Sequence, residues 1–413
     1  MSEWKKVKLG EVCDFINGGA WSDKEYAPEG IPVLKVTNCK NSGFSLSELS
    51  YLPYSLEQKY IQNKLQRNDV IIATVGSHPN LVNSSAGRSV IVNSFVEGFY
   101  LNQNAVCIRT KDQEILDQLF WGYYSKYYLF QNYIQMRGKG AANQMRIAIS
   151  AIKDYPMPLP PINVQRHIAS ILSRYDSLIE NYQKQIKLLE EAAQRLYKKW
   201  FVDLHFPGHE NTKIVDGVPE GWEKKKISDV CETVGGGTPS TKVPAYYKGG
   251  RIKWVTPTDI TRNNCICLLD TDKKITEEGL RNSSTKMVPA GTILMTSRAS
   301  VGYFGIADFE VCTNQGFISC IPIPNMQMYL LFNLMSRVDE IRQKAGGSTY
   351  LEISKSVFRN FDIVCPSEII LLQFQDKASL VLKKEKTLSL QLRLLTEARD
   401  RLLPKLMSSE IEV

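Results

Sequence analysis

The sequence predicts a mixed α/β (α+β) chain built twice over: two similar domains, each followed by a long helix, with the two helices paired antiparallel about an approximate two-fold. Three observations carry this. Near-copies of one string open two stretches of the chain, short β-branched segments bounded by loops follow each opening, and two long heptad patterns close the copies.

Aligning Trp4 with Trp222 places Lys6, Lys8, Val12, Cys13, Gly18 and Gly19 on Lys224, Lys226, Val230, Cys231, Gly236 and Gly237. Chance seldom matches Trp, Cys and two glycines in register, so the reading is duplication. "NDVIIATVGS" from Asn68 is similar to "AGTILMTSRA" from Ala290. Asn102-Gln103 corresponds to Asn314-Gln315, and "LLEEAAQRLYKKWF" from Leu188 to "LLTEARDRLLPKLM" from Leu394. The offset drifts along the chain, as insertions and deletions in loops cause.

Inside the first copy "DVIIAT", "SVIVN" and "AVCIRT" read as strands, and "TILMTS", "YFGIA" and "FISCIPI" are their partners in the second. "EILDQLFWGYYSKYYLFQNYIQ" and "MYLLFNLMSRVDEIRQKA" have helical length and spacing. A Pro-rich stop, "PMPLPPINVQ", precedes the first long helix. Its seam runs Ile168, Leu172, Tyr175, Ile179, Tyr182, Ile186, Leu189, Ala193, Leu196 and Trp200, at alternating steps of four and three. The second seam is Phe374, Ala378, Val381, Leu388, Leu392, Leu395, Leu402 and Leu406, interrupted by Glu385 and Arg399, which either fix register or turn outward.

Neither seam can stay bare in water. Packing each on the other is the simplest solution; packing each on its own domain is the alternative. The expected division is a domain over 1–157, a helix over 158–206, a domain over 207–366 and a helix over 367–413. At about 1.5 Å per residue, about 38 helical residues make a spacer of about 57 Å.

The bulk composition suits this plan. The 413 residues are 43% hydrophobic and 23% charged, with a net charge of +8, a mild excess that suits a polyanion. No run approaches the length of a membrane span, the N-terminus lacks a signal-peptide core, and the nine scattered cysteines read as reduced core thiols of a cytoplasmic protein.

Catalytic signatures are missing from the sequence. It contains no GxxxxGK[ST], GxSxG or HExxH, and no methyl-donor or Asx-Pro-Pro-aromatic signature. "GGGTPS" at Gly235 lacks the Lys of a phosphate loop and reads as a turn. Pro207 and Gly208 separate His205 from His209, and Cys265 and Cys267 have no second pair, so no metal site is expected.

A duplicated, basic chain without catalytic signatures reads as a binder of a two-part target, and B-DNA offers one. Base and phosphate contacts need Arg, Lys, Asn, Gln, Ser, Thr and Tyr on exposed loops. In the first copy these are Ser77, His78, Asn80, Arg88, Arg137, Lys139, Asn143, Gln144 and Arg146. In the second they are Arg262, Asn263, Ser297, Arg298, Lys344, Ser348, Thr349 and Tyr350. A scaffold that binds only proteins and a self-contained methyltransferase are the competing readings.

The strings "EWKKVKLGEV", "VPEGWEKKKISDV", "MPLPPINVQRHIASIL", "LYKKWFVD" and "RDRLLPKLMSSEIEV" together resemble the DNA-specificity subunit of type I restriction-modification systems, over essentially the whole chain. The resemblance implies two target recognition domains on two spacer helices, and a bipartite, asymmetric double-stranded DNA target. It implies two modification subunits that methylate adenine N6 using S-adenosylmethionine, and motor and nuclease subunits, with ATP and Mg, in systems that restrict. No cofactor is expected on this chain itself. Partner contacts would use the outer helix faces and the aromatic end at Trp200 and Phe201, whose alternative is burial within the helix pair. "PSEIILLQFQ" departs from the family's Pro-Pro…Gln entry, which leaves the start of the second helix open.

Overall fold

The β-branched runs form the central strands of two separate units. The computed structural model describes residues 4–40, 43–46, 49–77, 85–141, 144–263, 265–347 and 350–411. Unit 1 comprises Met1–Glu180 with Leu394–Val413, and unit 2 comprises Asn181–Arg393.

In unit 1 a four-stranded antiparallel sheet runs Cys13–Asn17, Ala105–Thr110, Val70–Ala73, Ser89–Ile91. Val70, Ile72, Val106 and Ile108 point to one buried layer with Phe120, Trp121 and Phe130. Ile71, Ala73, Ala105 and Cys107 point to a second with Leu34, Val92 and Leu101. Burial on both faces explains why "VIIA" is continuously apolar, where a half-solvated strand would alternate.

Unit 2 repeats the order as Cys231–Gly235, Phe317–Pro322, Ile293–Thr296, Phe304–Ala307, then adds Cys267–Leu268. Its layers repeat too: Ile293, Met295, Ile318 and Cys320 face Leu330, Leu331 and Leu334, while Leu294 and Phe317 face Val255 and Val311. In each unit the opening strand pairs with the strand that leads into a long helix, Lys5–Lys8 with Pro156–Leu159 and Glu223–Lys226 with Asp362–Cys365. Mixed α/β units with the same strand order are what the duplicated sequence predicts.

Two segments with helical spacing prove to be broken. Residues 114–135 form two helices, Gln118–Tyr124 and Tyr128–Gln135, separated where Tyr127 is extended at φ −70°, ψ 140°. The fold-back brings Trp121 and Phe130 edge to face with centroids 5.1 Å apart, an aromatic contact that a straight helix could not make. The segment 328–345 likewise gives two helices, Gln327–Ser336 and Val338–Lys344. The break falls at Arg337, whose guanidinium donates to Glu340 and to the Asp362 carbonyl.

The first long helix covers Ile162–Tyr197 and ends in a π-helical turn, Lys198–Val202. The second covers Glu368–Met407. Gln165 locks the first entry: its Oε1 accepts from the Asp117 N–H, and its Nε2 donates to the Ile115 and Pro160 carbonyls. At the altered second entry Gln375 takes over, its Oε1 accepting from the Met328 N–H at the head of the corresponding domain helix.

Each unit holds a piece of both long helices. In unit 1 Ile168, Ala169 and Leu172, near the start of the first, share a buried cluster with Leu403, Leu406 and Met407, near the end of the second. In unit 2 Ala193, Tyr197 and Trp200 share one with Ile370, Leu371, Phe374 and Ala378. The early part of one helix meets the late part of the other in both cases, as an antiparallel pair requires. The helices also pack on their own domains in these clusters, so both sequence alternatives operate at once.

Of the remaining seam positions, Ile179, Ile186 and Leu388 are buried, and Tyr175, Tyr182, Leu189, Leu196, Val381, Leu392, Leu395 and Leu402 are half-buried. Trp200 is buried and Phe201 half-buried, the latter against Tyr329, Trp222 and Phe374. These aromatics are thus buried core of unit 2, packed on the second helix at Phe374 and also on the domain residues Trp222 and Tyr329, a wider burial than the helix pair alone.

Glu385 and Arg399 both turn inward. In unit 1 Arg399 pairs with Asp176 at 2.6 Å, and Asp176 also accepts from the Tyr123 hydroxyl at 2.7 Å. In unit 2 Glu385 accepts from the Cys267 N–H and Glu190 from the Ile266 N–H. A further pin ties each domain body to its helix segment. Arg67 grips Glu180 through two hydrogen bonds of 2.8 and 3.2 Å, and Lys386, at the repeat position of Glu180, pairs with Asp308. The pins share the helix position with opposite sign, and take their domain ends from different loops, before the strand Val70–Ala73 and after the strand Phe304–Ala307. Among the described residues no helix is long and apolar enough to cross a membrane.

Candidate nucleic-acid interface

At one end of each unit, three loops are fastened together by the same hydrogen bonds. The Asn102 N–H donates to the Leu34 carbonyl at 3.0 Å, and the Asn314 N–H to the Val255 carbonyl at 3.0 Å. The Gly19 N–H donates to Leu101 at 2.7 Å, and Gly237 to Thr313 at 2.9 Å. A Cβ at Gly18 would lie 1.9 Å from the Asn102 carbonyl oxygen, and one at Gly236 1.9 Å from that of Asn314. Only glycine allows this approach, which is the physical reason for the repeated Gly-Gly.

The Asn-Gln turn then holds the end of the central strand. Thr74 donates to the Asn104 carbonyl and Ser297 to that of Gly316, at 2.9 and 2.8 Å. The carbonyls of Thr74 and Ser297 accept in turn from Ile147 and Ile353, at 2.8 and 3.0 Å. The frame brings the loop after the central strand, the Asn-Gln turn and the loop before the closing strand to one edge of each unit.

On this frame the side chains differ. Val75 follows Thr74 where Arg298 follows Ser297, and Arg146 precedes Ile147 where Glu352 precedes Ile353. Val75 pairs with Arg146, and Arg298 with Glu352, across the equivalent rung. Each unit therefore has an arginine at this rung, on opposite strands. In unit 1 Lys139 and Arg146 are direct antiparallel partners, both exposed. Like charges opposite one another repel, and a bound polyanion relieves that repulsion. Arg137 is also exposed, its guanidinium 3.5 Å from the centroid of the Tyr133 ring.

In unit 2 Arg298 is exposed, paired to Glu352 only at 3.6 Å. Ala299 beside it has φ +62°, strained for a residue with a Cβ, and its N–H is held by the Leu351 carbonyl. Pro257, Arg298, Ala299, Asn314, Gln315, Gly316 and Tyr350 line a shallow cavity of about 300 Å³. Tyr350 is 60% exposed.

Several sequence candidates lie elsewhere. Arg88 is half-buried and donates to the Cys39 carbonyl, bracing the loop from within; burial lowers its pKa. Asn263 spends its amide on the Cys265 and Cys267 carbonyls. Ser297 is buried in the frame itself. These three correct the expectation of exposed contacts: Asn263 satisfies backbone carbonyls close in sequence, Arg88 is drawn to a carbonyl that the fold brings beside it, and Ser297 is enclosed by the frame. Ser77 is half-buried at the edge, and Arg262 and Lys344 are exposed. Gln144 lies on the strand Gln144–Arg146. His78, Asn80, Asn143, Ser348 and Thr349 fall outside the described residues.

Burial pushes the Cys13, Cys39 and Cys265 thiols up to about 12, which keeps these three protonated. Gln103 and Gln315, both exposed on the frame, are absent from the sequence candidates. Their signal was the repetition of Asn-Gln itself.

Known proteins share this plan. The family model described as "Type I restriction modification DNA specificity domain" matches residues 1–191 and 219–379. The chain is 39% identical over 153 residues to the type I restriction enzyme MjaIX specificity subunit of Methanocaldococcus jannaschii, a match spanning 36% of this chain and 35% of that protein. To the type I restriction enzyme HindI specificity subunit of Haemophilus influenzae it is 22% identical over the full length of both. In fold it is similar to the crystal structure of a type I restriction-modification S subunit from M. genitalium, with a TM-score of 0.56 at 19% identity, covering 98% of this chain and 96% of the other. With two matched segments that together take in most of its residues, the chain belongs to the type I restriction-modification DNA specificity family.

Proposed function

We propose that each unit reads one half of a split double-stranded DNA site, and that the chain aims enzymes carried by other subunits. The observation that carries this is the duplicated frame with diverged side chains: the same hydrogen bonds hold the same edge, while the arginine changes strand. One scaffold bearing two different sets of contacts suits two different half-sites. Two modification subunits supply adenine-N6 methylation with S-adenosylmethionine, and motor and nuclease subunits, with ATP and Mg, join where the system restricts. Leu188 and Leu394, repeat equivalents that are 62% and 60% exposed, give each modification subunit an apolar seat on a long helix. This chain binds no cofactor of its own.

The test is a fluorescence titration of the chain, co-expressed with its modification subunit, against duplex DNA at two salt concentrations. Binding that is sequence-dependent and weakens steeply with salt is expected; binding indifferent to sequence contradicts the reading. In the same assay Arg298→Ala is expected to cost about 1–3 kcal/mol and relax one base position in one half-site, whereas Lys139→Ala weakens all sequences alike.

A further inference from the structure

Around the interface edge most exposed side chains differ between the units, but Gln103 and Gln315 do not. Each sits in a turn whose backbone is held at three points, at the Leu101 carbonyl by Gly19, the Asn102 N–H by Leu34 and the Asn104 carbonyl by Thr74 in unit 1, and at the Thr313 carbonyl by Gly237, the Asn314 N–H by Val255 and the Gly316 carbonyl by Ser297 in unit 2. The backbone beneath the exposed amide is thus preorganised identically in both. A contact that reads different half-sites should differ between units, and one that is the same should touch what the half-sites share. Any two stretches of duplex share the sugar-phosphate backbone.

The chemistry of the amide agrees. In unit 2 the Thr238 hydroxyl donates to Gln315 Oε1, which engages one lone pair of the oxygen and leaves the N–H donors to present; in unit 1 the repeat position of Thr238 is Ala20, and the parallel rests on the shared turn. Reading adenine by a glutamine uses donor and acceptor together. A phosphate oxygen is an acceptor and needs only the donors.

We infer that Gln103 and Gln315 are phosphate-backbone anchors, one per unit, that set the register in which the diverged residues meet the base edges. This rests on the reading of the units as DNA readers. The anchor is neutral, so it contributes hydrogen bonding without releasing counterions.

The test uses the complex with its modification subunit, measured by fluorescence anisotropy on its recognised duplex and on duplexes with one altered base pair in either half. Gln103→Ala and Gln315→Ala are each expected to weaken binding about tenfold on every duplex, the loss of a hydrogen bond. The ratio between recognised and altered duplexes stays as in wild type, the slope of affinity against salt is unchanged, and the melting temperature does not move. Gln315→Glu, whose carboxylate faces a phosphate, is expected to lose more than the alanine variant. A collapse of the ratio would make these residues base readers and overturn the inference, and unchanged affinity would overturn it as well. A wild-type complex that bound all duplexes alike would instead refute the DNA-reading function beneath it.

Discussion

Phe374→Ala is expected to destabilise unit 2 by about 3–5 kcal/mol, the largest effect of any single truncation considered, because it empties a fully enclosed aromatic site. Phe374 is 0% exposed. Its ring lies 4.9 Å from Phe201 at 85°, 5.9 Å from Trp200, and 6.2 Å from each of Tyr197 and Phe332. These neighbours come from the first long helix, its terminal turn and a domain helix, so one side chain holds three elements together. Stiff rings around the hole relax little, which keeps the cavity open. Urea unfolding should show a lower midpoint for Phe374→Ala and a smaller change for Phe374→Leu. A loss below about 1 kcal/mol would mean that the helix ends do not depend on this contact.

The second large effect is a dependence on pH. Burial pushes Glu190 up to about 8, helped by the neighbouring Glu385 carboxyl. Burial raises Glu385 as well. Glu190 holds a proton in the folded state that it would give up in the unfolded chain near neutral pH. Its contribution is complete below the unfolded carboxylate range and is lost as pH rises through about 8. Between pH 6 and pH 9 the loss is on the order of 2–3 kcal/mol. Wild-type protein should therefore melt at a lower temperature at pH 9 than at pH 6. Glu190→Gln keeps a hydrogen-bonding group without the titration, and its melting temperature should fall much less over the same range. Parallel curves for the two proteins would refute the buried proton on Glu190.

Much of the architecture was legible because it depends on near neighbours in sequence. The strands Val70–Ala73 and Ile293–Thr296 announce themselves as short β-branched or apolar runs, and the first long helix as a heptad without Gly or Pro. The breaks at Tyr127 and Arg337 were not legible. Tyr127 lies in an aromatic-rich run with no Gly or Pro at the break, and Arg337 bends the chain for partners that include Asp362, 25 residues on. The inward turn of Glu385 was undecidable for the same reason, since the amide it accepts from, Cys267, is 118 residues away.

The interface shows the same division. Exposed cations such as Arg137, Arg146 and Arg298 could be picked from composition and loop position. That Arg88 and Asn263 turn inward depends on particular carbonyls, one of them 49 residues distant at Cys39. The frame joining Asn104, Thr74 and Ile147 into one edge is set by tertiary hydrogen bonds that no local pattern encodes. Its imprint in the sequence, Gly-Gly and Asn-Gln repeated in both copies, reads as ancestry until the backbone shows why both pairs are needed.

The central claim is that one scaffold reads two different half-sites. Methylome sequencing of a host expressing this chain with its modification subunit, beside a chimera whose residues 1–157 come from another family member, tests it most directly. A split methylated motif is expected, of which the chimera changes one half and keeps the other. A chimera that altered both halves, or neither, would contradict it.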